Sequence, residues 1–181
     1  EHDEADYIAG VIYNRHSIEN EPYGHMAILF RTNSQSRVLE EKLMRYGIPY
    51  TMVGGTKFYD RKEIKDVIAY LRVLYNPEDS LSLVRILNVP KRSIGATSIE
   101  HLTDYAEANG ISLFDALSTT EELPVTKRVK TALEDFAALI FSLLGEVSKT
   151  DVPTLIERVV KETGYGDMLD KEAAQDPQGE S

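Results

Sequence analysis

The chain of 181 residues contains no cysteine, which excludes disulfide bonds, thiolate metal sites and cysteine nucleophiles. Its four histidines show no spacing that is typical of a metal site or a catalytic dyad, so we expect no bound metal. No apolar run approaches the roughly 18 residues that a membrane-spanning helix needs. We therefore expect a cytoplasmic protein without a membrane partner.

Two motifs of self-sufficient enzymes are also missing from the sequence. The phosphate-binding pattern G-x-x-x-x-G-K-[ST] occurs nowhere, and no serine stands in a nucleophile elbow. Because the chain has neither a phosphate loop nor a nucleophile paired with a base, we expect it to bind no cofactor and hydrolyse no ATP by itself.

Charge is distributed unevenly along the chain. The chain carries a formal net charge of −10, which argues against a nucleic-acid partner. Residues 28–95, however, hold 12 Lys and Arg against 7 Asp and Glu, so a basic middle is flanked by acidic segments. This bias fits a nucleic-acid surface in the middle, a protein-docking surface on the acidic parts, or merely a solvated face.

The spacing of apolar residues predicts alternating helices and strands in the first third of the chain. Residues 4–16 have apolar side chains at spacings of three and four, as in an amphipathic helix. The short apolar runs 25–30 and 48–55 are typical of strands, the first of them buried on both faces. The helix between them would start at an N-cap, Asn33 or Ser34. This order predicts part of a parallel sheet.

After Gly55 the pattern becomes entirely helical. We therefore predict an α/β fragment with an incomplete parallel sheet over residues 1–56, followed by a mostly α-helical region over residues 57–181, predominantly α overall. Two strands cannot form a sheet that is covered on both faces, so the α/β part is incomplete by itself. The polar tail, residues 170–181, is expected to be frayed.

Start and stop signals mark individual helices within the helical region. The segment from about Ser80 to Leu87 reads as a short helix that ends before Pro90. Asp151, followed by Pro153, starts a later helix, which ends at Thr163-Gly164.

Three segments carry polar groups that suit phosphates, and the first is FRTNSQSR, residues 30–37. A predicted strand is followed there by a helix, which is where ligands bind in open α/β sheets. Arg31 offers a rigid five-donor fork to a phosphate, and Asn33 offers an amide beside the free N–H groups of a helix start. Alternatively, Asn33 merely caps the helix and Arg31 is a surface charge.

The second segment is VGGTKFYDRKEIKD, residues 53–66. Gly54 and Gly55 allow a backbone to approach a ligand closely. Four cations follow them and could meet phosphates: Lys57, Arg61, Lys62 and Lys65. The alternative is a hinge at the two glycines and a solvated first helical turn, with Phe58 packed beneath it.

The third segment is PKRSIGATSIE, residues 90–100. Lys91 and Arg92 precede the small-residue turn Ser93-Ile94-Gly95, and a helix starts near Thr97. Such a turn points backbone N–H groups outwards and can hold a nucleic-acid backbone without reading its sequence. An ordinary interhelical turn with two exposed cations would show the same pattern.

Taken together, these segments resemble the UvrD/PcrA/Rep group of superfamily 1 DNA helicases, and within it the PcrA type. The likeness is dense across residues 26–100 and looser from there to TGYGDML. It implies a parent protein with two RecA-like motor domains, each interrupted by a largely helical insertion. Residues 1–56 would begin the second motor domain, and residues 57–181 would lead into its inserted subdomain.

The resemblance also implies an activity: ATP-dependent 3′-to-5′ unwinding of DNA, with ATP and Mg²⁺ bound by the parent. The implied partners are single-stranded and duplex DNA, the remaining domains of the same helicase, and proteins of DNA repair, replication or transcription. The alternative is a helical protein-interaction or autoinhibitory module that binds little DNA of its own.

The family pattern assigns roles to individual residues. Arg31 would reach towards the terminal phosphate of ATP, with the ring of Phe30 beside the adenine, where relatives usually have tyrosine. Asn33 and the segment from Gly54 to Arg61 would lie near the DNA path. The turn around Ser93 would hold duplex DNA. Relatives usually have Gly-Ile-Gly at this turn, so we expect Ser93 to weaken the grip or reshape the turn if a positive φ is needed.

Overall fold

The computed structural model of the chain describes residues 2–175, without the side chain of Asn33. The chain folds as two compact units, which we call the first unit and the second unit, divided between Lys65 and Asp66. The assignment of residues 1–56 and 57–181 to a motor domain and its insertion stays a prediction, because compactness alone does not test it.

Helices account for most of the described chain. They are α1 (His2–Glu19), α2 (Asn33–Arg45), α3 (Lys62–Tyr75), α4 (Ser80–Leu87), α5 (Ala96–Asn109), α6 (Leu113–Ala116), α7 (Lys127–Leu144), α8 (Val152–Glu162) and α9 (Tyr165–Gln175). Short 3₁₀ turns occur at Tyr23–His25, Phe58–Asp60 and Thr120–Glu122. No strand occurs between residues 2 and 175, so the predicted α/β fragment with a RecA-like parallel sheet is wrong.

The error lies in the two apolar runs, 25–30 and 48–55. Apart from His25, the first run is neither helix nor strand, and its side chains alternate between half-buried and exposed, with Leu29 95% exposed. It is therefore not buried on both faces. A strand exists only when its N–H and C=O groups pair with a neighbouring strand. An apolar run predicts only that its side chains are buried. Ile28 and Ile48 are buried, fully or in part, by packing against the two helices of the first unit.

The first unit is built on the packing of α1 against α2. Ala9 and Leu43 form its centre, and an ion pair of 2.7 Å joins Lys42 to Asp6 across the two helices. Thr32 is the N-cap of α2, so the predicted cap at Asn33 or Ser34 is wrong. Thr32 has the extended backbone that a cap requires, with φ −128° and ψ 144°, and Gln35 accepts from its N–H at 3.4 Å.

The second unit has one large apolar core. Its buried side chains come from every helix between α3 and α8 and from the connecting turns. The largest of the fully buried ones are Tyr70, Leu83, Ile86, Leu87, Ile94, Leu102, Leu117, Leu133, Phe136, Ile140 and Leu143. Because turn residues as well as helix residues belong to this core, the core holds the connecting turns in place as well as the helices.

Several predicted helix ends are confirmed in the second unit. The short helix spans Ser80–Leu87, and Asp151 caps α8 by accepting from the Thr154 N–H at 3.1 Å. Helix α9 continues to Gln175, so the expectation of a frayed tail is wrong for residues 170–175. The rest of that expectation concerns residues 176–181, which lie outside the described residues.

Candidate nucleic-acid interface

The start of α2 carries the first predicted site. Phe30 and Arg31 line a cavity of about 230 Å³ together with Ile8 and Val38. Gln35 accepts from the Arg31 N–H at 3.1 Å and so fixes the backbone of the arginine. The Arg31 side chain is exposed and forms no hydrogen bond with any residue that the structure describes. Its five donors are therefore available to a phosphate.

A buried carboxylate organises the second predicted site. Glu40 is 2% exposed; it accepts from the Tyr50 hydroxyl at 2.9 Å and from the Phe58 N–H at 3.2 Å. Burial and this hydrogen bond to Glu40 raise the pKa of Tyr50 to about 12. Tyr50 therefore stays protonated at neutral pH and remains a donor. Through Tyr50 and Phe58, Glu40 ties the chain on both sides of the two glycines to α2.

Cations lie against the aromatic rings of this segment. The Phe58 ring has the guanidinium of Arg37 at 5.8 Å from its centroid and that of Arg61 at 5.5 Å. Lys57 Nζ lies 4.4 Å from the centroid of Tyr50. Tyr59 meets Phe58 edge to face and is 47% exposed. Surfaces that bind single-stranded nucleic acid combine exposed aromatic rings, on which bases stack, with cations that neutralise the phosphates.

The two glycines of this segment differ in their backbone. Gly54 has a φ of +76°, which an L side chain rarely adopts, whereas Gly55 does not require such a conformation. Both lie inside the first unit and not at its border between Lys65 and Asp66. Their role as a hinge stays a prediction.

The third predicted site is the turn between α4 and α5, which we call the 88–97 turn. Asn88 Oδ1 accepts from the N–H of Arg92 at 2.7 Å and of Ile94 at 3.3 Å. Ile94 is fully buried and anchors the turn in the core. Sequence reasoning missed Asn88, because its position after a predicted helix end shows no more than an ordinary cap.

Arg92 is held inside the protein by an unusually complete set of acceptors. Its Nη2 donates to the Tyr70 hydroxyl at 2.9 Å and to the Thr163 carbonyl at 3.2 Å. Its Nη1 donates to three carbonyl oxygens near the turn, those of Ile86, Leu87 and Pro90, at 3.1, 3.4 and 3.2 Å. A DNA contact by Arg92 stays a prediction, but its guanidinium is already committed to holding the 88–97 turn.

The remaining predicted residues of the turn differ in exposure. The side chain of Ile94 cannot face a ligand, while Lys91, Gly95 and Thr97 are exposed. Lys91 forms no hydrogen bond or ion pair within residues 2–175. The turn thus presents one uncommitted lysine on a rigid base.

Two further interactions support that base. The guanidinium of Arg92 lies 5.1 Å from the centroid of the Phe136 ring. The buried Tyr70 hydroxyl donates to the Val89 carbonyl at 2.5 Å. Burial raises the pKa of Tyr70, and the neighbouring Arg92 opposes part of this shift.

Ser93 adopts a backbone that favours glycine, with a φ of +67°. A Cβ in this region is strained by about 1–2 kcal/mol. The effect of the serine on DNA binding stays a prediction. Its hydroxyl accepts from Arg128 Nη2 at 2.8 Å. Sequence reasoning missed Arg128, which lies in the first turn of α7, because no local pattern connects two residues so far apart in the chain.

We expect Ser93→Gly to leave the free energy of unfolding unchanged or to raise it by up to about 1 kcal/mol, because relief of the strain outweighs one exposed hydrogen bond. Ser93→Val should lower it by about 1–3 kcal/mol, since a branched side chain fits this backbone poorly. Urea unfolding followed by circular dichroism measures both. Equal stability of the two variants would contradict the assigned backbone.

Two features of other functional classes are absent from residues 2–175. None of the described helices combines the length and apolar content that a bilayer crossing needs. In the same part of the chain, no three side chains of His, Asp or Glu come together as metal ligands would.

The comparisons with known proteins agree with the motifs. Residues 1–162 match the UvrD-like helicase C-terminal domain. The chain is 48% identical over 172 residues to the ATP-dependent DNA helicase PcrA of Staphylococcus epidermidis and 46% identical to that of Staphylococcus aureus. Each match covers 95% of this chain but only 24% and 23% of the relatives, so the chain spans about a quarter of their length. The predicted relation to these helicases is confirmed, and the chain belongs to the UvrD-like helicase C-terminal domain family.

Proposed function

We propose that the chain is a DNA-engaging part of an ATP-dependent 3′-to-5′ DNA helicase that acts in the cytoplasm, in DNA repair or replication. The observation that carries the proposal is the 88–97 turn. Asn88, Ile94 and Arg92 hold it rigidly, while Lys91 remains exposed and uncommitted. A fixed turn with an outward cation suits the backbone of duplex DNA, which it would hold without reading bases.

The first unit supplies a second DNA surface of different character. Lys57 and Arg61 lie on aromatic rings, and Tyr59 offers an exposed face beside them. Stacking of bases on such faces tolerates any sequence. This arrangement supports a single-strand contact near the segment from Gly54 to Arg61. A contact by Asn33 belongs to the same proposal on the strength of the family pattern alone.

The residues present fit one half of a nucleotide site. The outward guanidinium of Arg31 suits the terminal phosphate of ATP, and Phe30 lines the cavity beside it. The chain has no phosphate loop, so ATP and Mg²⁺ would be held mainly by the remaining domains of the helicase. When bound, ATP supplies the energy of translocation. We expect the chain alone to show no ATP hydrolysis.

The test is DNA binding by the 181-residue chain and two variants, measured by fluorescence anisotropy on a duplex with a 3′ single-stranded tail. We expect weak binding that falls steeply with salt. Lys91→Ala should lower the affinity and reduce the slope of log affinity against log salt by about 1.

Lys149→Ala is the matched control, because it removes the same charge from an exposed lysine that pairs with Glu146 at 3.3 Å. Lys149→Ala should bind DNA with the same affinity as the unsubstituted chain. Equal affinities of all three proteins would refute the role of the 88–97 turn. Undetectable binding at low salt would favour the protein-interaction alternative.

A further inference from the structure

The first turn of α7 brings a second cation to the 88–97 turn. Arg128 and Ser93 are both exposed, and the guanidinium donates to the serine hydroxyl at 2.8 Å. The contact joins residues that are 35 positions apart in the sequence. Arg128 therefore contacts the turn that also carries Lys91, although neither motif spacing nor charge runs connect the two residues.

The charge of Arg128 is not neutralised inside the protein. The residues three and four positions away are Pro124, Val125, Thr131 and Ala132, none of which is acidic. No ion pair to Arg128 occurs within residues 2–175, and a neutral hydroxyl occupies only one of its five donors. Lys130 on the same helix differs, because its Nζ lies 2.6 Å from the Glu121 carbonyl and 3.5 Å from the Glu121 carboxylate.

The position of Arg128 costs stability in the absence of an anion. It lies in the first turn of α7, where the positive end of the helix dipole repels a cation. A bound phosphate would remove this repulsion, since both the guanidinium and the helix end attract it. The helix dipole therefore disfavours an arginine at this position, and a bound phosphate would offset that cost.

Ser93 is the residue that ties this cation to the turn. Its positive φ gives the turn the backbone that glycine adopts freely, while its hydroxyl adds an acceptor that glycine lacks. The serine thus keeps the shape of the turn and adds a group that orients Arg128.

We propose that Arg128, oriented by Ser93, is a further phosphate-contacting residue for duplex DNA. The inference rests on the proposed function, because it assumes that the 88–97 turn faces the duplex. Ser93 would then strengthen duplex binding by orienting Arg128, although its positive φ strains the backbone of this residue.

The experiment compares Arg128→Ala and Arg128→Gln with Lys130→Ala, using anisotropy with a blunt duplex and with single-stranded DNA. Both Arg128 variants should bind the duplex about three- to tenfold more weakly at low salt, with the salt slope reduced by about 1. The Arg128→Gln variant can keep the hydrogen bond to Ser93, so it distinguishes the loss of the charge from the loss of this contact. Lys130→Ala should change the affinity less than about twofold, and single-strand binding should not respond to any of these changes.

A double-mutant cycle tests the role of Ser93. Ser93→Gly should weaken duplex binding by about twofold without changing the salt slope, because the cation remains but is less well oriented. It should have no further effect in the Arg128→Ala background. An equal effect in both backgrounds would overturn the orienting role.

The outcomes separate the inference from the proposed function. If Lys91→Ala weakens binding and both Arg128 variants bind like the parent chain, the inference is wrong and the proposed function stands. If the unsubstituted chain binds no duplex DNA, both the inference and the proposed function are wrong. A reduced salt slope in Arg128→Gln with an unchanged urea midpoint would establish the phosphate contact.

Discussion

Asp66→Ala is expected to lower the free energy of unfolding of the second unit by about 2–4 kcal/mol, less than for a fully buried pair, because the Arg85 side chain is partly exposed. Asp66 is 2% exposed, and Arg85 reaches its Oδ1 with Nε and Nη2, each at 2.7 Å. The buried Tyr165 hydroxyl donates to its Oδ2 at 2.9 Å. Truncation removes a carboxylate that both the guanidinium and the buried hydroxyl contact. Urea unfolding followed by far-ultraviolet circular dichroism measures the loss.

Two variants frame this result. Tyr165→Phe removes a single hydrogen bond to the same carboxylate and should cost about 1.5–3 kcal/mol. Glu157→Ala removes an exposed carboxylate from α8 and should leave the unfolding midpoint unchanged. A loss below about 1 kcal/mol in Asp66→Ala would show that the group does not tie α3 to α4 and α9.

Arg92→Ala is expected to lower the free energy of unfolding by about 2–4 kcal/mol. The change deprives the Tyr70 hydroxyl and the Thr163 carbonyl of their donor, and it removes the cation from the Phe136 ring. The same denaturation experiment measures this loss. Any fall in DNA affinity would then report a displaced turn as well as a lost charge, so Arg92 is a poor probe of phosphate contact.

Its neighbour provides the matched control. Lys91→Ala removes a charge one position away that has no partner in the described chain, and it should not change stability. Arg92→Lys should recover only part of the loss, because an ammonium group cannot serve acceptors spread around a planar fork. If Arg92→Ala proved as stable as Lys91→Ala, the guanidinium would not hold the 88–97 turn.

The helices show what local sequence predicts well. The bounds of α4 and the start of α8 at Asp151 follow from signals within a few residues, and the structure agrees with them. The predicted strands failed because pairing is not local. Ile28 and Ile48 in these apolar runs do pack against the helices of the first unit, but residues 2–175 contain no strand with which the runs could pair.

The candidate site was predictable in location but not in the role of each residue. Spacing drew attention to Lys91, Arg92 and Ser93 together. It could not show that Arg92 faces inwards, because its carbonyl acceptors belong to α4, to the turn itself and to Thr163 after the end of α8. Nor could it find Arg128, whose contact with Ser93 depends on how α7 packs.

The sequence by itself determined the family, the bounds of α4, the start of α8 and the absence of a phosphate loop, since such motifs and caps act over a few residues. Only the tertiary structure decided which cations of the 88–97 turn face outwards and which helix supplies another. Those outcomes depend on the burial of Ile94 and on hydrogen bonds between residues that are distant in the chain. Local pattern carries no information about such contacts, because packing selects them after the helices have formed.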